Sequence, residues 1–526
     1  MVVIAHEPSG LEGSLVHVEV DIRRGIPGVD LVGLAAGAVK EARERVRAAI
    51  RNSGFEFPLD RILINLAPAD LPKEGAAYDL PLALALLGAA GSIPEPGRPV
   101  LALGELRLDG TVRPVRGVLP AAAAALRAGI DSFIVPEENA AEARALRKGL
   151  VFPIRRLADA SSLFGFVRLG SVPPPSTPSE GSRGAEPGAA PPPACEGDLS
   201  ELKGQPRLRR ALEIAAAGGH NVFLFGPPGS GKTMAARRFA GLLPDLGEED
   251  AVQVASLYSL AGILGAGSAL RSRPPFRAPH HSASLEGMIG GGRRLRPGEI
   301  SLSHKGVLFL DEAAEFHSDV LQSLREPLEE GRVSLVRAGS VARFPAAFQL
   351  VMAANPCPCG NLGRKGKACL CSIQELQRYR RKMGGPLLDR IDIRVPVEPT
   401  PPEILLGPAG ESGLAVRARV EAAKRAQSER NRDASDAPGA ARSATLNARL
   451  EPGRIERYCR LEPDASRAFQ YAVQRLSLSS RACHSILKVG RTIADLAGSG
   501  DIGEEQIIEA VQHRRFGDGD EVWPGD

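Results

Sequence analysis

The octapeptide Gly226-Pro227-Pro228-Gly229-Ser230-Gly231-Lys232-Thr233 constrains this chain more than any other stretch. It follows an apolar run at 221–225 that reads as a buried strand, and it precedes 234–240, which has helical composition. Strand, glycine-rich turn, Lys, Thr and helix, in that order, is the full context of a phosphate-binding loop. Glycines let backbone N–H groups turn inward around phosphate oxygens, and the helix N-terminus adds positive potential. The pattern predicts that all eight residues cradle a nucleotide. Lys232 would reach the β- and γ-phosphates, and the Thr233 hydroxyl would ligate Mg²⁺. A plain glycine-rich turn would leave the Lys-Thr pair unexplained.

The chain has 526 residues, 43% of them hydrophobic, and a net charge of +4. That length predicts roughly three domains with cores of their own. The charge is too mild to demand a nucleic-acid partner, so any basic surface has to be local. The most continuous apolar stretch, 80–87, is too short to cross a bilayer, and the N-terminus carries no evident signal peptide. Seven cysteines in so long a chain do not make a secreted disulfide scaffold. These observations predict a cytoplasmic protein with no membrane partner.

Two breaks divide the chain. Residues 171–196 are dominated by Pro, Gly, Ser and Ala and read as a semi-extended tether. A second loose region runs over 431–442, inside a longer connection that begins near Pro399. The expected organisation is a mixed α/β domain over 1–169, a linker over 170–197, an α/β nucleotide-binding core with a parallel sheet over 198–399, and a helical C-terminal domain over 400–526. In the first of these, 17–22, 61–66 and 131–135 read as strands, and 39–51 and 121–129 as helices.

Val307-Leu308-Phe309-Leu310-Asp311-Glu312 is an apolar strand that ends in two carboxylates. Asp311 would hold Mg²⁺ through water, and Glu312 would polarise the attacking water, a group that a hydrolase needs and a mere nucleotide binder does not. A further strand, 348–355, ends in Asn355, which can orient water between those carboxylates and the γ-phosphate. Arg390, after the turn at 385–389, can protrude towards a neighbour's γ-phosphate; alone it would read as a surface ion pair.

This combination resembles the AAA+ superfamily in its magnesium-chelatase and MCM-like branch. The resemblance implies that Asn355 is sensor 1, that Arg390 is a finger acting in trans, and that the lid carries a sensor 2 arginine. The segment 478–488 resembles that lid helix and points to Arg481, with Arg491 as the competing position. A finger in trans implies a ring, in this branch usually a homo-hexamer. Phe276-Arg277-Ala278-Pro279-His280-His281-Ser282, the glycines at 290–292, Pro297–His304 and 491–496 bring the likeness closer still, to the YifB/ComM family of magnesium-chelatase-like ATPases. Its better-studied members are hexameric DNA helicases that promote branch migration in natural transformation, which implies ATP, Mg²⁺ and single-stranded or branched DNA as partners. Residues 331–343 read as two short strands around a turn, and in MCM-like motors a hairpin here carries a basic residue into the pore. Arg337 is the matching position for a DNA phosphate contact. His280 and His281, being adjacent, suit a metal ion poorly; a structural or DNA-facing role in a pore insertion is expected.

The N-terminal domain resembles the protease domain of Lon, with an S5-like fold. Where Lon carries its catalytic Ser this chain has Ala77, and where Lon carries its catalytic Lys it has Leu119. A Ser-Lys dyad needs both a hydroxyl and an amine, so peptidase activity by that route is excluded. Four of the seven cysteines, Cys357, Cys359, Cys369 and Cys371, fall in one loop and could supply thiolates to a structural Zn²⁺; free cytosolic thiols or an occasional disulfide are the alternatives.

Three readings follow. One is a ring motor on DNA. The second is an ATPase motor subunit for Mg²⁺ insertion into a porphyrin, against which the Lon-like domain argues. The third is a protein remodeller.

Overall fold

The computed structural model describes residues 2–34, 37–171, 197–264, 270–292, 295–337, 340–362, 364, 366–431 and 446–514. Most of the Pro-rich tether lies outside them.

The amino-terminal segment builds one mixed sheet from β1 (Val3–Glu7), β2 (Ser14–Arg23), β3 (Gly28–Val32), β4 (Arg61–Ala67), β5 (Val100–Ala102), β8 (Ser132–Pro136) and β9 (Leu150–Ile154), with a small hairpin of β6 (Glu105–Leu106) and β7 (Val112–Arg113) beside it. The seven strands lie in the order β3-β4-β2-β1-β5-β8-β9. The central strands β1, β5 and β8 are buried along their whole length, whereas β4 alternates buried and exposed positions because only one face is covered. Helices α1 (Gly37–Asn52) and α2 (Asp79–Ala89) cover one face; α2 is apolar all round because it lies between the sheet and α1. Its one buried charge, Asp79, is held by a bidentate Arg45 at 2.9 and 3.0 Å. Helices α3 (Val118–Arg127), α4 (Ala140–Arg144) and α5 (Ala160–Leu169) complete this body.

The second body is a five-stranded sheet of β10 (Val222–Phe225), β11 (Phe276–Arg277), β14 (Val307–Leu310), β17 (Gln349–Ala354) and β18 (Ile393–Pro396), ordered β11-β14-β17-β10-β18 with every pair parallel. A parallel sheet is buried on both faces, which is why its central strands β10, β14 and β17 read as near-continuous apolar runs. One face is covered by α6 (Pro206–Gly218) and α7 (Lys232–Ala240), and by the C-terminal helices α16 (Gly413–Arg430), α17 (Pro452–Tyr458), α18 (Pro463–Arg475), α19 (Ser480–Ala497) and α20 (Glu504–Arg514). The other face meets α9 (Leu285–Ile289), α10 (Glu299–Leu302), α11 (Ser318–Ser323), α12 (Arg325–Glu330), α13 (Ile373–Lys382) and α14 (Gly385–Leu388). The loose connection expected after Pro399 is corrected here. It contains α15 (Pro402–Leu405) and the 18-residue α16, which Ser412 caps by accepting from Leu414 N; only 432–445 lie outside the described residues.

Two short antiparallel pairs project from this body: β12 (Gly290–Gly291) with β13 (Arg296–Pro297), and β15 (Arg332–Arg337) with β16 (Ser340–Pro345). Helix α8 (Glu248–Ala261) joins the two bodies. Its Ala255 packs into the core around α3, while Val254, Leu257 and Tyr258 pack with Leu302, Ala342 and Phe344 at the base of the β15–β16 hairpin. The buried Glu142 of α4 accepts from Ser259 Oγ across the seam and from Leu119 N at 2.8 Å. The β1–β2 turn reaches the hairpin as well, through Leu11 N to Arg343 O at 3.3 Å.

Three buried histidines set a pH limit. Burial pushes His6 down to about 4, His304 to about 3 and His513 to about 4. The unfolded chain binds protons on these rings near the ordinary 6.5 while the folded chain does not. Their contribution is therefore fully present above 6.5 and is lost as pH falls, by about 1.4 kcal/mol per pH unit for each ring below that point. Thermal unfolding should show a falling midpoint between pH 6.5 and 5. A midpoint constant over that window would contradict the neutral burial of these rings.

Candidate nucleotide-hydrolysis site

The parallel register brings the chemistry to one edge. Phe225 pairs with Ala354, and Leu310 pairs with Met352. The residues that follow these strands, the loop 226–233, Asp311-Glu312 and Asn355, therefore leave the sheet side by side at its carboxyl end. The strand order reverses at β10, where open α/β sheets leave a crevice. That crevice is a cavity of about 350 Å³ lined by Pro228–Met234, Asp311, Glu312, Ala354 and Asn355.

Gly231 lies at the N-terminus of α7, and Lys232 opens the helix with its side chain folded back. The Lys232 amine donates to Gly226 O at 2.7 Å, Pro227 O at 3.0 Å and Asn355 Oδ1 at 3.1 Å. Burial holds its pKa below the ordinary lysine value, against the pull of Asp311 and Glu312. Thr233 Oγ1 donates to Asp311 Oδ2 at 2.7 Å, so the two oxygens expected to share Mg²⁺ already meet. Ser230 Oγ is buried without a partner, an orphan hydroxyl in the middle of the loop. These residues fit a Mg²⁺–nucleotide.

Glu312 does not continue the strand. β14 ends at Leu310, and Glu312 adopts the left-handed region with φ 49 and ψ 48. A non-glycine residue held there costs roughly 1–3 kcal/mol and is a mark of functional sites. Its carboxylate stays exposed at the mouth of the cavity, 3.9 Å from His281 Nδ1. His281 thus faces the Glu312 carboxylate. His280 turns to Ser282 Oγ at 2.7 Å. The parallel pairing of Phe276 with Val307 carries His281 to this point, and the sequence signal was the equal offset of both residues from that pair. Gln205 was also missed: its amide donates to Ser230 O at 3.0 Å and Thr400 Oγ1 at 3.1 Å, tying the loop to the chain after β18.

The two proposed arginines lie elsewhere. Neither Arg390 nor Arg481 lines the cavity of its own chain. Arg390 Nη2 is 2.7 Å and Arg481 Nη1 2.9 Å from the same atom, Glu329 Oε1 on α12. Arg491, the competing candidate, is buried against Asp495 Oδ1 at 3.0 Å and the carbonyls of Ser499 and Gly500, so it serves the packing of the C-terminal helices. A buried polar chain fixes α19 to the core: Asp392 accepts from Ser485 Oγ at 2.6 Å and meets His220 Nδ1 at 3.0 Å, while His220 Nε2 meets Thr492 Oγ1 at 2.8 Å. Arg337 stands exposed at the end of β15, with Val336 and Val341 forming an exposed cross-strand pair beside it.

The sulfurs of Cys357, Cys359, Cys369 and Cys371 lie within 4.8 Å of one another, with separations of 3.4, 3.6 and 3.7 Å among the first three. Tetrahedral coordination with bonds of about 2.3 Å puts sulfurs about 3.8 Å apart, so the cluster has the dimensions of a zinc site. The backbone N–H of Asn361 holds the Cys359 thiol down at about 6, while burial pushes Cys371 up to about 12. Gly360 (φ 72) lets the loop press on Pro228: a Cβ there would lie 3.0 Å from that ring. Lys367 and Arg364 lie in the same loop; Lys365 falls outside the described residues.

In the amino-terminal body, half-buried Ala77 has no hydroxyl, and Leu119 is fully buried beneath α8's neighbourhood with no amine to offer.

Family models agree with this geometry. One described as magnesium chelatase, subunit ChlI, matches residues 198–405, one described as subunit ChlI of Mg-chelatase matches 18–139, and one for the ChlI C-terminal part matches 410–514. Among curated proteins, the uncharacterised protein YifB of Escherichia coli is 42% identical over 509 residues, covering 96% of this chain and 95% of its own. Competence protein ComM of Haemophilus influenzae is 39% identical over 520 residues, covering 98% and 97%. Lon protease of Geobacter metallireducens is 30% identical over 194 residues, 35% of this chain and 23% of its own. Full-length likeness of this kind, on a parallel-sheet core with a phosphate loop, makes the chain an AAA+ ATPase that uses ATP and Mg²⁺, and it belongs to the YifB/ComM family of magnesium-chelatase-like proteins.

Proposed function

We propose that this chain works as a ring, a homo-hexamer by family likeness, in which ATP hydrolysis at each subunit boundary drives motion along single-stranded or branched DNA, as in branch migration of recombination intermediates during natural transformation. One observation supports the ring: Arg390 is held on Glu329 outside the cavity of its own chain, a position that suits a cation offered to a neighbour's transition state. The exposed Arg337 hairpin supports DNA as the track, because a basic residue there grips phosphates without reading sequence. The relative named as a competence protein points the same way.

The geometry supports a role for each residue. Backbone N–H groups of 228–233 and Lys232 bind the phosphates. Thr233 and Asp311 would hold Mg²⁺, which draws charge from the phosphates when bound. Glu312 accepts the proton of the attacking water, Asn355 orients it, and Arg390 of the next subunit meets the charge developing on the γ-phosphate. The four cysteines would hold a structural Zn²⁺ that braces the loop after Asn355 against Pro228.

The magnesium-chelatase reading stays as a second one, because a model of that description also covers 18–139 and the amino-terminal body no longer separates the two. Protein remodelling is the third.

Lys232→Ala should abolish ATP binding in equilibrium dialysis. Glu312→Gln should keep binding and lose about 100-fold in turnover. Arg390→Ala should keep binding and lose about 10³-fold; normal turnover there would remove the trans assignment. Forked DNA should raise the ATPase rate at low salt, and the gain should shrink steeply with salt. No response to DNA, with a response to a porphyrin or an unfolded protein, would overturn the DNA reading.

Elemental analysis should find one zinc per chain, lost in Cys359→Ser together with Cys369→Ser, and chelation should lower the thermal midpoint. A metal-free chain of equal stability would refute the zinc site.

A further inference from the structure

Glu329 is a carboxylate that the hydrolytic chemistry does not use, yet Arg390, the proposed trans finger, and Arg481, the arginine expected as sensor 2 of the lid, both end on it. The same oxygen, Oε1, takes Arg390 Nη2 at 2.7 Å and Arg481 Nη1 at 2.9 Å. Arg390 is pinned further by Nη1 donating to Pro386 O at 2.6 Å, and its side chain is only 11% exposed. Held this way, neither guanidinium is extended towards another molecule. Two cations on one anion leave a net positive charge, and Arg390's pKa is held down by burial and by the neighbouring Arg481. A γ-phosphate, with more charge than a carboxylate and several acceptor oxygens, is the stronger partner for the same pair.

The place of Glu329 in the chain gives it a second connection. It lies in the last turn of α12, and only Glu330 and Gly331 separate it from β15. The join is tight. Gly331 N donates to Pro327 O at 2.9 Å, Gly331 O accepts from Ala346 N at 2.7 Å, and Val333 and Phe344 are buried as a cross-strand pair at the hairpin base. Movement of the hairpin therefore carries α12 with it. The polar chain from Asp392 through His220 to Thr492, with Ser485 on the same carboxylate, likewise holds the Arg390 segment and the Arg481 helix together. Two units, each internally fixed, meet at one carboxylate.

We propose that Glu329 is a positioning residue that acts as a latch: it holds Arg390 back from the neighbouring subunit's γ-phosphate and keeps Arg481 on the same oxygen, and contact between the β15–β16 hairpin and the polymer draws it away and frees them. This rests on the proposed trans role of Arg390 and on DNA as the polymer. The latch makes hydrolysis wait for substrate in the pore. Both pairs share the half-exposed Glu329 carboxylate and are weak, so the restraint is a matter of rate, not of an absolute block.

The test compares wild type, Glu329→Gln, Arg390→Ala and the double variant in the full-length protein, with and without forked DNA, alongside sedimentation. Glu329→Gln should raise the DNA-independent ATPase rate by about fivefold and bring the ratio of stimulated to basal rate towards one. Adding Arg390→Ala should abolish that gain. An unchanged or lower basal rate in Glu329→Gln, with DNA stimulation intact, would overturn the latch, as would a rise explained by larger assemblies at equal concentration. Should the Gln variant fail to fold, Glu329→Asp, too short to reach both guanidiniums, is read in the same way, and a wild-type basal rate there overturns the proposal. Normal turnover in Arg390→Ala alone would instead remove the trans reading on which the latch stands.

Discussion

Parallel pairing of β10 with β17, and of β17 with β14, is the constraint from which the site follows. It obliges three segments far apart in sequence to leave the sheet at neighbouring points and in the same direction. Burial of the sheet on both faces leaves polar residues to its edges, and at the carboxyl edge they gather around the phosphate loop. There the Lys232 amine is satisfied by two carbonyls of its own loop and by Asn355, and Thr233 by Asp311. A nucleotide entering this edge exchanges partners with groups already in position, which keeps the reorganisation small.

On the reading proposed above, a neighbouring chain completes the site. Arg390 and Arg481 lie away from the cavity, tied to Glu329 on α12. Two structural units meet there, one continuous with the hairpin and one with the lid, so the boundary where hydrolysis would be completed is also where movement would be transmitted. The strained backbone of Glu312 and the proximity of His281 place a second adjustable point at the opposite wall of the cavity.

Much of this was legible in the residues. The phosphate loop could be read because all its parts are contiguous and each has a chemical reason. Asp311 and Glu312 could be read because an apolar run that ends in two carboxylates has few other uses. The cysteine pairs were evident from spacing alone. What escaped was non-local. Glu329 sits in a plain acidic turn, and its partners lie 152 residues away in one case. His281 looked like half of a histidine pair until strand register placed it opposite Glu312. Helix α16 was hidden by the Gly and Pro residues before it and by an apolar face of only a few buried side chains, since its contacts are drawn from α6 and α19. The likeness to Lon located the vacant dyad, but nothing local indicated what the surrounding surface now touches.

That surface touches α8. One wall of this helix completes the core around α3, and the other completes the core beneath the hairpin. The amino-terminal body is therefore part of the motor's frame, and removing that body would strip an oily flank from Ala255 and leave the Ser259 hydroxyl without Glu142. Where Lon keeps a chemical workbench, this architecture has a bearing.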